Sequence, residues 1–203
     1  MHYILTYCGV DYETKTYERG PAPTFSKDNW KNSDIDSLGL AFPNLPYLID
    51  GEVRLSESKS IMKYVASKYD PDLLGRTARE IAEADMLSRV HDDLYGQVNN
   101  HYKQGDPVKL AANLRIIGQR LSTNLGTKPF FAGDRLTFVD FCFFELIELM
   151  DYWSEGATLA DYPNLKAFHA RISTLPRFGE AWTSDSKLRK RPFNFHRAPT
   201  NQL

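Results

Sequence analysis

The spacing of apolar residues changes near residue 70. Before it, the apolar runs are short: residues 47–49 and 53–55 flank Asp50-Gly51-Glu52, and a glycine in so short a connection predicts a β-hairpin. After Ser56-Glu57-Ser58, apolar residues recur at helical spacing to about residue 69. Residues 1–69 are therefore predicted to form a mixed α/β domain.

The rest of the chain predicts helices and no further strand. Asp70-Pro71-Asp72 interrupts the pattern, and each later segment begins with a polar cap or a proline, as helices do. Gly126 is predicted to end the second of these helices. We therefore expect an all-helical domain over residues 77–203. The predicted helix starts are Thr77, Asp106-Pro107, the capping box of Thr137 and Asp140, Pro163 and Pro176.

Charge, apolar run length and cysteine content argue against nucleic-acid-binding, secreted and membrane-spanning proteins. The formal net charge of −1 argues against nucleic-acid binding over the whole surface. The start of the chain lacks the pattern of a secretory signal, and no run approaches the ~20 apolar residues of a membrane span. Cys8 and Cys142 are far apart and outside any metal-ligand spacing. We expect two reduced thiols in a cytoplasmic protein.

Several kinds of chemistry have no support in the sequence. The five histidines show no metal-ligand spacing, and the patterns of serine hydrolases, P-loop enzymes and Rossmann domains are absent. The tail from Lys187 onward is basic with interleaved aromatic residues, a composition that can bind RNA or an anionic membrane. Because its phenylalanines need burial, the favoured interpretation is a tail that folds back over a cleft.

One stretch does indicate a binding site. Pro43 and Pro46 bracket Asn44-Leu45, and prolines keep this backbone out of a central ladder, so the groups of Leu45 can face a ligand. A cis peptide bond is expected here. Ser56-Glu57-Ser58 begins a helix, whose free N–H groups attract an external carboxylate. Simple capping by the serines is the plainer alternative. Together the two segments predict a backbone-lined site for a small peptide-like anion.

These segments, in this order, resemble cytosolic glutathione transferases over nearly the whole chain. The similarity is carried by residues 42–51, Glu57-Ser58, the two-part layout and residues 131–141. Residues 17–23 before Trp30 resemble the extended loop of the Mu class, with the Sigma class as the next candidate. The resemblance implies a thioredoxin-like N-terminal domain and a helical C-terminal domain. It also implies a homodimer, with glutathione as co-substrate and no other cofactor.

The resemblance also implies roles for single residues. Leu45, exposed by a cis Pro46, would hold the cysteinyl part of glutathione through its backbone, and Asn44 would hold the loop or touch the ligand. Ser58 would take the γ-glutamyl carboxylate, and Glu57 would face the ammonium. Trp30 would meet the glycyl end of glutathione, and Lys31 would stand in for a family lysine whose position is Asp34 here. Asp93, or its neighbour Asp92, would reach the glutathione of the partner subunit. Tyr102 would lie in the electrophile pocket, and Phe42 would insert into the partner subunit.

The family's first strand has no counterpart in these 203 residues. Met1 to Tyr12 resemble the second half of the first helix and its exit into the second strand, so the tyrosine that stabilises the glutathione thiolate is also unmatched. No catalytic residue is therefore assigned. Tyr3 and Tyr7 fall on the helix, so neither is assumed to replace it. We expect an incomplete gene model or splice form, with residues 12–19 lacking a strand neighbour and glutathione binding separated from rapid turnover.

Two functions follow from these observations. The first is an enzyme that conjugates glutathione to small hydrophobic electrophiles, as in detoxification. The alternative is a non-catalytic binding or structural protein on the same fold. As plain sequence features, Trp30, Tyr102 and Phe42 are ordinary core or surface aromatics, since aromatics make up 13% of the chain. Their fixed order relative to the Asn44-Leu45-Pro46 loop favours the functional interpretation.

Overall fold

The computed structural model describes residues 1–21, 24–33 and 35–184, and for Lys103 the backbone alone. Asp34 and the basic tail lie outside the described residues, so the expectations for them stay untested. The first part contains helix α1 (His2–Tyr7), helix α2 (Asp28–Lys31), strands β1 (Tyr47–Asp50) and β2 (Val53–Ser56), and helix α3 (Ser58–Tyr69). Short 3₁₀ helices span Ile35–Leu38 and Pro71–Leu74.

The predicted hairpin is confirmed. Strands β1 and β2 are antiparallel, with Tyr47 opposite Ser56 and Asp50 opposite Val53. The two-residue connection begins at Gly51, whose φ of 57° is the left-handed geometry that tight hairpins require. Helix α3 packs on both strands and on α1. It begins at Ser58, two residues after β2 ends at Ser56.

The strand that the resemblance implies after α1 does not form. Residues 10–20 have neither helix nor strand geometry, and within the described ranges the sheet has two strands. A segment makes a strand only where a neighbouring strand offers a hydrogen-bonding edge, and residues 12–19 have no such neighbour in the described ranges, as expected from the sequence. Tyr17 instead reaches the hairpin through its side chain, with its hydroxyl 3.0 Å from that of Tyr47.

The second part consists of helices joined by loops over its described length, to residue 184, and an isolated β-bridge joins Phe130 and Gly133 in the loop after the second of them. Thr77 accepts the Glu80 N–H, and Asp106 accepts the N–H groups of Val108 and Lys109, so both predicted caps are formed. Helix α9 begins two residues beyond Pro176. The helices are α4 (Ala78–Gln104), α5 (Pro107–Leu125), α6 (Phe138–Trp153), α7 (Ala157–Asp161), α8 (Pro163–Ile172) and α9 (Phe178–Ser184).

Helix α6 forms the centre of the core. It is buried along almost its whole length, because it packs against α4, α8, α1 and α3. At its start the fully buried Asp140 accepts the N–H groups of Phe131 and Thr137 and the hydroxyl of Thr137. Cys8 and Cys142 are both free thiols. No helix in the described ranges is long and apolar enough to cross a bilayer.

Candidate functional site

The loop before β1 has the predicted proline geometry. The Leu45–Pro46 peptide bond is cis, and Leu45 is 40% exposed. Its N–H is not free, however, because it donates to the side-chain oxygen of Asn44 at 2.9 Å. A ligand that binds this N–H has to replace that local contact. The prediction of an open backbone donor is therefore corrected to a donor held by its neighbour.

The junction between β2 and α3 is open towards solvent. Glu57 has a φ of 71°, a strained value for a residue with a side chain and one that clusters at functional sites. Helix α3 starts at Ser58, and no side chain caps its first N–H groups. Ser56 does not cap them either, since its hydroxyl donates to the Phe42 carbonyl at 2.7 Å. The helix start therefore keeps donors for an anion.

Asn44 joins the loop to this junction. Its amide nitrogen donates to Oε1 of Glu57 at 3.2 Å, while its oxygen holds Leu45 as described above. Two segments that are thirteen residues apart thus meet at one place. The sequence prediction that these segments form one site agrees with this geometry, and Asn44 holds the loop. Glu57 remains exposed, so its carboxylate is accessible to a ligand cation.

Trp30 lies beside this loop but inside the protein. It is 8% exposed, because its ring stacks on Tyr47 at 5.8 Å and meets the edge of Tyr17 at 4.9 Å. Burial raises the pKa of Tyr47 to about 12, with the hydrogen bond between its hydroxyl and that of Tyr17 adding to it. Lys31 follows on the exposed end of α2. The structure thus gives Trp30 a packing role, and contact with the glycyl end stays a prediction for both residues.

A partly buried polar cluster adjoins the site, and the sequence pattern did not predict it. The ammonium of Lys59, whose side chain is 14% exposed, lies 3.0 Å from Nδ1 of His91 and 3.4 Å from the Asp92 carboxylate. Nδ1 of His91 is also 3.2 Å from Asp92. Lys59 follows Ser58 directly, so the cluster joins the start of α3 to the middle of α4. Partners 32 residues apart leave no signal in local sequence.

Burial and the neighbouring charges shift the pKa values of all three side chains in the cluster. Burial lowers the pKa of His91 and favours its neutral form. Burial opposes the charge of Lys59 as well, but Cys142, Asp92 and Glu145 hold its pKa above the ordinary value. For Asp92, burial is outweighed by His91 and Lys59, and its pKa is lowered. Lys59 and Asp92 are therefore a charged pair at the boundary of the two domains.

This cluster also separates the two neighbouring acids on α4. Both acids are exposed, but the Asp92 carboxylate is engaged by Lys59 and His91. Of the two register choices left open by the sequence, the geometry therefore favours Asp93 as the acid that can reach another molecule. Its contact with a partner's ligand stays a prediction.

Tyr102 lies apart from the loop and junction. It follows Asp93 by nine residues on α4, roughly 14 Å along the helix axis, and its ring stacks on Trp153 at 4.3 Å. The structure therefore does not bring Tyr102 together with Asn44 and Ser58. Its place in an electrophile pocket remains untested.

Neither tyrosine of α1 faces the junction. Tyr3 packs edge-on against Phe144, Phe178 and Trp182 in the core. Tyr7 lies close to Asp70 at the far end of α3, and burial and this carboxylate raise the pKa of its hydroxyl. A raised pKa makes a hydroxyl a poorer proton donor to a thiolate. The expectation that α1 does not replace the family tyrosine agrees with this placement.

Phe42 is the most prominent apolar side chain near the site. It is 82% exposed, on the loop that Ser56 holds. An open cavity of about 230 Å³ between α4 and α5 lies elsewhere on the same chain. Because Phe42 is exposed, it does not fill this cavity in its own subunit. Among the residues lining the cavity are Met86, Leu87, Val90, Leu94, Leu121 and Phe131.

Comparisons with known proteins agree with this arrangement. The chain matches the family models for the glutathione S-transferase N-terminal domain over residues 1–67 and C-terminal domain over residues 94–184. It is 35% identical over 190 residues to glutathione S-transferase Mu 1 of Oryctolagus cuniculus, covering 92% of this chain and 85% of the relative. It is 35% identical over 193 residues to glutathione S-transferase Mu 4 of Homo sapiens, covering 93% and 86%.

A solved structure supports the same assignment. The crystal structure of the glutathione S-transferase Blo t 8 superposes with a TM-score of 0.73 at 25% sequence identity, covering 91% of this chain and 86% of that chain. The sequence matches both family models. Its structure contains the cis Pro46 loop, the uncapped start of α3 and a helical second domain. The chain therefore belongs to the glutathione S-transferase family.

Proposed function

We propose that this protein is a glutathione transferase, which binds glutathione at the Asn44–Glu57 junction and presents its sulfur to a small hydrophobic electrophile. The observation that carries the proposal is the hydrogen bond from Asn44 to Glu57. It places the cis-proline loop beside an uncapped helix start. One segment offers a strand-like backbone to a peptide, and the other offers N–H groups to its carboxylate.

The binding roles follow from the donors and acceptors present. The Ser58 hydroxyl and the first N–H groups of α3 suit the γ-glutamyl carboxylate, and Glu57 suits the ammonium. Leu45 suits the cysteinyl backbone once Asn44 releases its N–H. These contacts fix a peptide thiol in one orientation, and holding a reactant in place lowers the entropic part of a reaction barrier.

Conjugation also requires the thiolate, because the anion is the nucleophile and a free thiol of pKa ~8.5 is mostly protonated at neutral pH. We assign no described residue to this step. Sulfur attacks the electrophilic carbon, the C–S bond forms, and the leaving group or an adjacent carbon takes the electron pair. The proposed electrophile is small and apolar, and Tyr102 beside Trp153 is the proposed aromatic wall of its pocket.

We further propose a homodimer in the cytoplasm, where detoxification of such electrophiles takes place. Phe42 fits the cavity of a second copy, since an apolar cavity of about 150 Å³ already holds benzene and this one measures about 230 Å³. A two-fold axis repeats the contact and lets Asp93 approach the partner's ligand. Two free thiols are in keeping with a reducing compartment.

Calorimetric titration with glutathione tests the proposal. We expect saturable binding by the wild-type chain, together with slow formation of a thioether from glutathione and a chromogenic aryl halide. Ophthalmate, the glutathione analogue without the sulfur, should bind but form no product. Absence of glutathione binding by folded protein would contradict the proposed site. Binding without any thioether would favour the non-catalytic alternative.

A further inference from the structure

The cluster of Lys59, His91 and Asp92 connects two parts of the proposed glutathione site. Lys59 is the residue after Ser58 at the start of α3, and Asp92 precedes Asp93 on α4. The Lys59 ammonium lies 3.0 Å from His91 and 3.4 Å from Asp92, across the boundary between the domains. A change at either end of this contact therefore acts on a residue proposed to bind glutathione.

The imidazole strengthens this link. Nδ1 of His91 faces both charged groups, at 3.0 Å from the ammonium and 3.2 Å from the carboxylate. When it accepts a hydrogen bond from Lys59 it joins α3 to α4, and when it donates one to Asp92 it holds the carboxylate that pairs with Lys59. His91 itself is held rigidly, since it is 5% exposed and stacked on Tyr95 with the edge of Phe143 beside it.

We propose that Lys59 is a positioning residue for glutathione, which acts through His91 and Asp92 to hold the first turn of α3 in its binding orientation and to keep Asp93 turned outward. This inference rests on the proposed function. Lys59 has no contact with the ligand in this proposal. Its effect comes from fixing the backbone next to Ser58, where a small displacement misaligns the donors for the carboxylate.

A second ion pair on the same two helices provides a matched control. Lys63 pairs with Asp85 one turn further along α3, so it also ties α3 to α4 but does not adjoin Ser58. If the Lys59 cluster only attached the domains to each other, Lys59→Met and Lys63→Met would change glutathione binding alike. In the proposal, Lys59→Met raises the dissociation constant about tenfold, since the first turn of α3 loses its tie to α4 beside Ser58, and Lys63→Met changes it by less than about twofold.

The Asp92→Asn variant separates positioning from simple charge attraction. Removal of a negative charge near an anion site should tighten glutathione binding if long-range attraction were the whole effect. We expect the opposite, a weakening of glutathione binding comparable to that in Lys59→Met. The double variant should then be no weaker than the single variants, because both remove one interaction. A fully additive double variant would indicate that Asp92 acts by itself.

The experiment is calorimetry with glutathione on the wild-type chain and these variants, with thermal unfolding measured in parallel. A wild-type chain that binds no glutathione would refute the proposed function and leave nothing to position. A wild-type chain that binds, with equal dissociation constants for Lys59→Met and Lys63→Met, would overturn the positioning role alone. Tighter binding by Asp92→Asn would overturn it as well. Should Lys59→Met not fold, Asp92→Asn and the conservative Lys59→Arg carry the same comparison.

Discussion

The side-chain amide of Asn44 donates to the carboxylate of Glu57 at 3.2 Å, although thirteen residues and a complete hairpin separate them. The same side chain holds the Leu45 N–H through its oxygen. One amide thus fixes the loop before β1, the strained residue after β2 and their distance from each other. Several consequences of this arrangement can be measured.

Asn44→Ala should weaken glutathione binding without unfolding the protein. It removes the exposed hydrogen bond to Glu57, worth about 0.5–1.5 kcal/mol, so the dissociation constant should rise roughly twofold to tenfold. Calorimetry measures the change. Asn29→Ala is the control, because Asn29 also holds a loop through its amide, by donating to the Glu18 carbonyl. Equal effects of the two substitutions would show that Asn44 has no special place in the site.

Ser58→Ala should weaken binding more strongly. A charge-assisted hydrogen bond to a carboxylate is worth ~1.5–3 kcal/mol, which corresponds to a rise of roughly 10–150-fold in the dissociation constant. The exposed Ser60, two residues along the same helix, provides the control as Ser60→Ala. Unchanged glutathione affinity in Ser58→Ala would remove the start of α3 from the site.

Phe42→Ala should shift the protein from dimer to monomer. Burial of a phenylalanine is worth roughly 1.5–3 kcal/mol, and a two-fold axis repeats it, so the dimer dissociation constant should rise roughly 10²–10⁴-fold. Sedimentation velocity over a range of concentrations measures this change. Val108→Ala, which alters another exposed apolar residue, should leave the association unchanged. A persistent dimer in Phe42→Ala would exclude Phe42 from the interface.

Tyr7→Phe should leave glutathione conjugation within about twofold of the wild-type rate. Its hydroxyl lies near Asp70 at the end of α3 opposite Ser58, and twelve residues of helix span roughly 18 Å. Steady-state kinetics with saturating glutathione measures the effect. A loss of kcat with unchanged glutathione affinity would instead make Tyr7 the donor to the thiolate.

Asp140 should make stability depend on pH in an unusual direction for a carboxylate. Burial raises its pKa to about 6 in the folded protein, above the value of ~3.9 in an unfolded chain. The folded protein therefore holds the proton more tightly, so this stabilisation is present below about pH 4 and is lost as the pH rises through about 6.

Comparison with Asp140→Asn isolates this contribution, since the amide does not titrate. The variant loses an acceptor for Thr137 and should be less stable by about 1–3 kcal/mol near pH 7. Its deficit in free energy of unfolding should be larger at about pH 4.5 than at about pH 6.5, measured by urea unfolding. The exposed Asp134→Asn is the control. A deficit independent of pH would contradict the raised pKa.

Interactions between residues close in sequence determine much of the secondary structure. The glycine of a two-residue connection placed the hairpin, Thr77 and Asp106 placed the starts of α4 and α5, and the proline-bracketed loop indicated the cis bond before Pro46. These interactions join residues a few positions apart, so they can be predicted from the sequence without the rest of the structure. The same holds for the uncapped start of α3, whose residue types were visible even though their hydrogen bonds were not.

Contacts between distant residues were decided by the tertiary structure alone. The strand that the family resemblance implies after α1 does not form, because a strand requires a neighbour and none adjoins this segment in the described ranges. Trp30 is buried because Tyr17 and Tyr47 converge on it, and Asp92 is paired because Lys59 arrives from another helix. The sequence by itself thus determined the hairpin, the binding loop and the longer helices, but not the short helices α2 and α7. Packing determined which of their side chains face each other, since that depends on atoms that the local chain does not contain.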